Sequence, residues 1–159
     1  MTTIKSLAGK LTLVAVAVML AASVSAQAKN PRFGKWKIKS DAPPPSSNIM
    51  TYEPFGAKGM KVTVESVNAK GEKNMWWYTT DFDGKDMPVT GQAPGQTSSV
   101  TTVNDKINVI TNKRDGKVTQ ILTNVLSPDG DTLGVMYMRD DGNGKTTNVT
   151  FATYERMKN

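Results

Sequence analysis

Short runs of alternating apolar and polar residues fill the chain from residue 33 onward. Residues 33–39 read FGKWKIK, so Trp36 and Ile38 fall on one face of a strand and three lysines fall on the other. Residues 60–67, MKVTVESV, repeat the pattern. A period of two is typical of β-strands with one buried face and one solvated face. We therefore expect strands whose outer surface is charged.

Turn signals separate these runs at regular intervals. The dipeptide Asp-Gly, which favours β-hairpins, occurs at residues 83–84, 115–116, 129–130 and 141–142. No segment beyond the N-terminal region has a helical period. Residues 40–47, SDAPPPSS, predict a plain loop because proline cannot donate to a strand ladder. The sequence predicts an all-β fold, a single antiparallel up-and-down (meander) barrel of about eight to ten strands, because closure removes the exposed edges.

The stretch at residues 74–91 is expected to form the middle hairpin of this barrel. It reads NMWWYTTDFDGKDMPVTG, with a run of β-forming residues followed by an Asp-Gly turn. Trp76 and Tyr78 share one parity, and Trp77 has the other. We expect the first two side chains inside the barrel and Trp77 outside. An outward position is unusual for so large an apolar ring. One hypothesis is therefore that Trp77 marks a contact surface.

The predicted inner faces supply the candidate ligand contacts. The residues expected in the interior are Trp36, Val62, Val64, Trp76, Tyr78, Ile107, Val109, Leu133, Val135 and Tyr137. The candidate ligand-binding residues are Trp36, Tyr52, Trp76, Tyr78, Tyr137 and Arg139. Arg139 shares the parity of Val135, so it either pairs with an anionic head group or is solvated at a strand end. A barrel of this size holds one small ligand or is filled by side chains, and both alternatives stay open.

The N-terminal residues 1–26 have the three-part pattern of a secretory signal. Two lysines precede an apolar run at residues 11–22, and small residues lead up to Ala26. This run is shorter than the roughly 20 apolar residues of a transmembrane helix. We expect cleavage after Ala26, with Ala28 as the alternative, which leaves residues 27–159 as one β-barrel domain in the periplasm or medium of a bacterium.

Composition narrows the chemistry that the chain can perform. It has 20 basic and 14 acidic residues, and the expected signal contains two of the lysines, so the remainder carries 18 − 14 = +4. No basic cluster indicates nucleic acid as a partner. With no histidine and no cysteine, Ser-His-Asp and Cys-His catalysis are excluded. We expect a protein that is not an enzyme and needs no cofactor, with a cyclase or isomerase using Tyr78 or Tyr137 as proton donor as a remote alternative.

Neither a metal site nor a membrane-embedded barrel is expected. Asp81, Asp83 and Asp86 lack the spacing of a calcium loop, and aspartate is common in turns. Methionine thioethers bind Cu(I), but methionine more often fills gaps in cores. The faces opposite Trp36 and Val62 carry lysine and glutamate, which excludes a lipid-facing apolar band on these strands.

Four segments carry a resemblance to known families. The Gly-x-Trp of residues 33–36 resembles the start of the first strand in lipocalins. The proline-rich loop, the block YTTDFDGKDMPVTG at residues 78–91 and the final Tyr154-Glu155-Arg156 resemble a family of uncharacterised secreted bacterial proteins. The lipocalin resemblance implies a calycin-type barrel, a small apolar ligand in the lumen, and an arginine of the last strand packed on the tryptophan. Arg156 and Trp36 would form that contact.

Together these features predict a secreted or periplasmic lipocalin-like protein that binds a small hydrophobic or amphipathic molecule in its lumen. The alternative is a structural or protein-interaction module with a filled core, which would act through its surface. The sequence identifies neither the ligand nor a protein partner.

Overall fold

The computed structural model describes residues 30–158, which form ten antiparallel strands. The strands are β1 (Gly34–Ile38), β2 (Ser47–Phe55), β3 (Gly59–Val67), β4 (Lys73–Thr80), β5 (Met87–Pro88), β6 (Gln96–Asn104), β7 (Ile107–Arg114), β8 (Lys117–Leu126), β9 (Thr132–Asp140) and β10 (Thr146–Arg156). The sheet order is β4-β3-β2-β1-β10-β9-β8-β7-β6-β5. The predicted all-β meander is confirmed, whereas the expected signal at residues 1–26 lies outside the described residues.

The barrel closes at a narrow seam between β4 and β5. The Trp77 amide donates to the Thr90 carbonyl at 3.0 Å, and the Thr90 amide donates back at 2.9 Å. β5 itself pairs with β6 and not with β4. The hairpin expected at residues 74–91 is therefore wrong, because β4 meets the return segment at an isolated bridge. Pro88 lacks an amide donor, and Phe82 has a positive φ of 61° that bends the chain away.

The β7–β8 connection shows what an Asp-Gly hairpin looks like in the same chain. Asp115 and Gly116 have φ values of 51° and 77°, and Arg114 pairs with Lys117 across the turn. Positive φ at both central residues is the requirement of the two-residue turn that suits twisted strands. The prediction from this dipeptide is confirmed here.

One end of the barrel, which we call the closed end, is packed with large side chains. Trp36 and Leu133 are fully buried, and Leu126 is 2% exposed. The indole Nε1 of Trp36 donates to the Arg32 carbonyl at 2.9 Å, and the Arg32 Nη1 donates to the Asp105 carbonyl at 2.8 Å. This hydrogen bonding ties the segment before β1 to the β6–β7 turn and plugs the barrel.

The wall has two halves that differ in polarity. In the first half, β1–β4, the buried side chains are mostly apolar, and the outward positions include Lys35, Lys61 and Glu65. In the second half, β6–β10, buried positions include the amides Asn108 and Asn124. The expectation of a charged outer surface therefore holds for the first half of the barrel.

The outside of the second half is apolar, and we call it the outer apolar face. Strand register places its residues in three rows: Val149, Met138, Ile121, Thr111 and the buried Ser99; Phe151, Met136, Thr123, Val109 and Thr101; and Thr153, Gly134, Val125 and Ile107, with Val103 at the β6 bulge. Ile107 and Val109 were expected inside, and this expectation is wrong. The residues of opposite parity, Asn108 and Ile110, are the buried residues of β7.

Candidate functional site

A cavity of about 350 Å³ occupies the barrel interior. Its apolar lining comes from Ile38, Met50, Val62, Val64, Trp76, Ile110, Leu122, Val135, Ala152 and, on the outward parity of β10, Phe151. Its polar lining comes from Asn48, Tyr52, Tyr78, Asn112, Gln120, Asn124, Tyr137, Arg139, Thr150 and Tyr154. Pockets that hold small ligands have volumes of roughly 300–1,000 Å³ and a mostly apolar wall with a few polar groups. The interior is therefore lined and not filled.

The aromatic wall of the cavity is built by β4. Trp76 and Tyr78 alternate inward, and their ring centroids lie 6.2 Å apart with planes inclined by 13°. Trp77 lies outside, as predicted, with the Lys61 ammonium 4.8 Å from its ring centroid. Trp77 is half-buried although it points outward, because the Lys61 ammonium covers its ring and the seam lies beside it. The described residues provide no hydrogen-bond partner for the Tyr78 hydroxyl, although it lines the cavity.

Two hydrogen-bonded pairs cross the interior. The Asn124 amide of β8 donates to the Tyr52 hydroxyl of β2 at 3.1 Å, and the hydroxyls of Tyr137 and Tyr154 lie 3.0 Å apart. The Tyr52 hydroxyl in turn lies 3.6 Å from the Met50 sulfur. These contacts satisfy most of the phenols that the sequence places in the lumen.

Burial keeps these phenols protonated. Loss of solvation raises the pKa of Tyr52 to about 12, although the hydrogen bond from Asn124 opposes the shift. Burial also raises the pKa values of Tyr78, Tyr137 and Tyr154. A phenol that holds its proton this firmly is a hydrogen-bonding group and a poor proton donor for catalysis near neutral pH.

Two buried amide oxygens remain unpaired. Within residues 30–158, the Oδ1 atoms of Asn48 and Asn124 have no hydrogen-bond partner, and both side chains line the cavity. A buried polar atom without a partner costs roughly 1–3 kcal/mol, so such atoms call for a bound group that satisfies them.

The opposite end of the barrel from Trp36 is polar, and we call it the open end. A second cavity of about 510 Å³ lies there, between the start of β6, the β7–β8 turn and the β9–β10 loop. It shares Trp76, Asn112, Gln120 and Arg139 with the inner cavity. Arg139 is exposed at the end of β9. A molecule entering from this end therefore meets a cation before it meets the aromatic wall.

The structure brings five of the six predicted site residues to the cavity. Tyr52, Trp76, Tyr78, Tyr137 and Arg139 line it, whereas Trp36 lies at the closed end outside the lining. The guanidinium of Arg156 lies 4.2 Å from the Trp36 ring centroid, which is the contact that the lipocalin resemblance implies. Arg156 also donates to the carbonyls of Phe33 and Pro31 at 2.7 and 2.6 Å.

The interior amides are not among the site residues predicted from the sequence. Asn48, Asn112, Gln120 and Asn124 all line the cavity. A signal for three of them exists, because β7 and β8 carry amides at alternate positions on the parity that faces inward. The signal is masked because the other parity of these strands is apolar, and an apolar parity predicts the interior.

The acidic residues near the seam are used in ion pairs. Lys85 lies 2.8 Å from Asp83, and Lys113 lies 2.8 Å from Asp86. In the described part of the chain, no three carboxylates converge on a point that a metal ion would occupy. The same residues include no helix of the length and apolarity that crossing a membrane requires.

No family model matches the chain, and no curated protein matches it with significance. Among solved structures, the barrel is similar to the fluorescent protein UnaG. The wild-type structure has a TM-score of 0.54 at 18% identity and covers 79% of this chain and 96% of its own. The N57A mutant has a TM-score of 0.56 at 17% identity and covers 81% and 98%. This similarity shows that the two proteins share a fold.

Proposed function

We propose that this chain binds one small amphipathic molecule in the cavity of its barrel. The observation that carries the proposal is a cavity of about 350 Å³ that combines an aromatic wall with unpaired polar atoms. A core selected only for packing would fill this space and would leave no buried amide oxygen unpaired. We infer binding and not proton transfer as the role of the tyrosines, because burial raises their pKa values.

The polar groups suggest the chemical class of the ligand. The apolar part would lie against Trp76, Val62 and Val64, and a hydroxyl or N–H group would donate to the Asn124 oxygen. A carboxylate or another anionic end would pair with Arg139 at the open end. The N-terminal pattern supports a location in the periplasm or the medium, where a carrier protects an apolar molecule from water.

Fluorescence titration tests the proposal with the tryptophans as built-in reporters. The probes are dodecanoate, dodecanol and 1-anilinonaphthalene-8-sulfonate, which has an apolar body, an N–H donor and a sulfonate. We expect a saturable change in tryptophan emission that is lost in Trp76→Phe and retained in Trp77→Phe. The Trp77 variant is the matched control because its ring lies outside the cavity.

A charge test locates the polar end of the ligand. Arg139→Gln should weaken dodecanoate binding about tenfold, which corresponds to about 1.4 kcal/mol, and should leave dodecanol unchanged. Lys117→Gln is the control, because Lys117 is an exposed cation in the β7–β8 turn that lines neither cavity. Native mass spectrometry of protein from its own host provides an independent check. The proposal fails if no probe saturates and the protein carries no retained mass.

A further inference from the structure

The outer apolar face is largely exposed to water. No strand or loop of the described chain packs over it. Phe151 is 76% exposed, Val103 is 61% exposed and Val149 is 46% exposed. We propose that this face binds the same face of a second copy of the chain, so that the protein forms a symmetric dimer. Three properties of the face favour a second copy as the partner: its lack of charge, the charges around it and its area.

The face carries no charge in any of its three rows. Its residues are aliphatic, aromatic, methionine, threonine, serine or glycine, as in the middle row of Phe151, Met136, Thr123 and Val109. A partner recognised by charge has no group to pair with here. A second copy presents an equally uncharged surface, so the contact desolvates no unpaired charge, and depletion of charge is typical of interface cores.

The surroundings of the face argue against a membrane surface as the occupant. The β7–β8 turn carries Arg114, Asp115 and Lys117, and the β9–β10 loop carries Asp140, Asp141 and Lys145. Binding to anionic lipid headgroups needs a cluster of one sign, with lysine and arginine in excess. A rim of mixed sign instead lets acidic and basic groups of two copies lie close to one another.

The area of the face is small for a specific dimer interface. Five strands about 4.8 Å apart and three rows about 6.8 Å apart give a footprint of roughly 24 by 20 Å, or about 480 Å² per copy. Two copies bury about 1,000 Å², near the lower limit for a specific interface. We therefore expect a reversible dimer.

Sedimentation equilibrium of the purified protein from about 1 µM to 1 mM tests the proposal, with Phe151→Lys and Val125→Lys as the disrupting variants. Both residues are exposed on the face. A symmetric contact uses each residue twice, so each variant should weaken association at least tenfold. Met75→Lys is the matched control, because Met75 is 57% exposed on the first half of the wall. Circular dichroism confirms that each variant folds.

The possible outcomes separate the alternatives. Association that is weakened by the two face variants and unchanged by Met75→Lys supports the proposal. A monomer at all concentrations overturns it, as does a dimer that tolerates both face variants. If the protein stays monomeric but sediments with phosphatidylcholine or phosphatidylglycerol vesicles and Phe151→Lys abolishes this, the face binds lipid and the proposal is wrong. Cavity binding is measured separately with Val125→Lys, since Val125 lines neither cavity.

Discussion

The two halves of the barrel wall place their polar and apolar residues in opposite ways. In the first half, Val62 and Val64 face the interior, while Lys35 and Lys61 face water. In the second half, amides such as Asn124 face the interior while Phe151 faces water. The first half therefore contributes stability through buried apolar surface. The second half gives up part of that contribution to line a cavity with polar groups.

The largest expected effect is a difference in the free energy of unfolding between two aromatic-to-alanine variants, one from each half. Trp36→Ala should lower the free energy of unfolding by about 3–5 kcal/mol, because it empties a fully buried site. Phe151→Ala should change it by less than about 0.5 kcal/mol in the monomer, because the ring is 76% exposed. Urea unfolding at low protein concentration measures both. Equal losses would show that the outer apolar face stabilises the monomer, contrary to the contrast between the halves.

The junction of the two halves depends on Arg156 in β10. Its Nε donates to the Gly130 carbonyl at 2.8 Å, its Nη1 and Nη2 donate to carbonyls before β1, and its guanidinium covers Trp36. Arg156→Ala should lower the free energy of unfolding by about 2–3 kcal/mol. Arg156→Lys should recover little of this, because an ammonium cannot reproduce the planar fork of donors.

The control for Arg156 is Arg114→Ala, which removes an exposed arginine from the other end of the barrel. We expect it to change the free energy of unfolding by no more than about 0.5 kcal/mol. Full recovery of stability by Arg156→Lys in thermal and urea unfolding would show that only charge matters at the junction.

A smaller effect, confined to alkaline pH, tests the hydrogen bond that crosses the lumen between the halves. Burial raises the pKa of Tyr52 to about 12 from a usual value of 10.0. The neutral phenol is therefore favoured in the folded state, and its contribution is present in full below pH 10 and is lost as pH rises toward 12. The loss amounts to about 2 kcal/mol by pH 12.

Tyr52→Phe provides the comparison, because it removes this ionisation and leaves the other buried phenols in place. Unfolding free energies should be measured from pH 8 to pH 12 for both proteins. Between pH 10 and 12, the original chain should lose about 2 kcal/mol more than the variant. Parallel curves would show that the Tyr52 phenol is solvated when folded.

The strands and their approximate bounds could be predicted from alternation and turn residues alone. Residues 117–126 and the Asp115-Gly116 turn are examples, since local propensity and tertiary structure agree there. The direction that β7 faces could not be predicted, because both parities of Ile107-Asn108-Val109-Ile110 contain apolar residues. The rule that apolar residues point inward fails where the outer face is itself apolar.

The seam and the unpaired amide oxygens of the candidate site could not be predicted from the sequence, for two different reasons. Asp83-Gly84 and Asp115-Gly116 are the same dipeptide, yet the second forms a tight hairpin and the first does not. The difference arises from barrel closure, which brings residues 77 and 90 together. The unpaired oxygens of Asn48 and Asn124 depend on register between distant strands, and no local pattern encodes that register.

The pairing of β1 with β10 has a consequence for the order of folding. It joins the two ends of the described chain, with Trp36 opposite Arg156, whereas the seam lies in the middle of the sequence. A circular permutant that links the region of Arg156 to Asn30 and opens the chain between Asp83 and Asp86 would make every neighbouring pair in the strand order sequential. The narrow seam at Trp77 and Thr90 would then join distant segments. Its contact order falls, so stopped-flow refolding should be faster than for the natural chain. In the natural chain the distant pairing is instead the β1–β10 ladder.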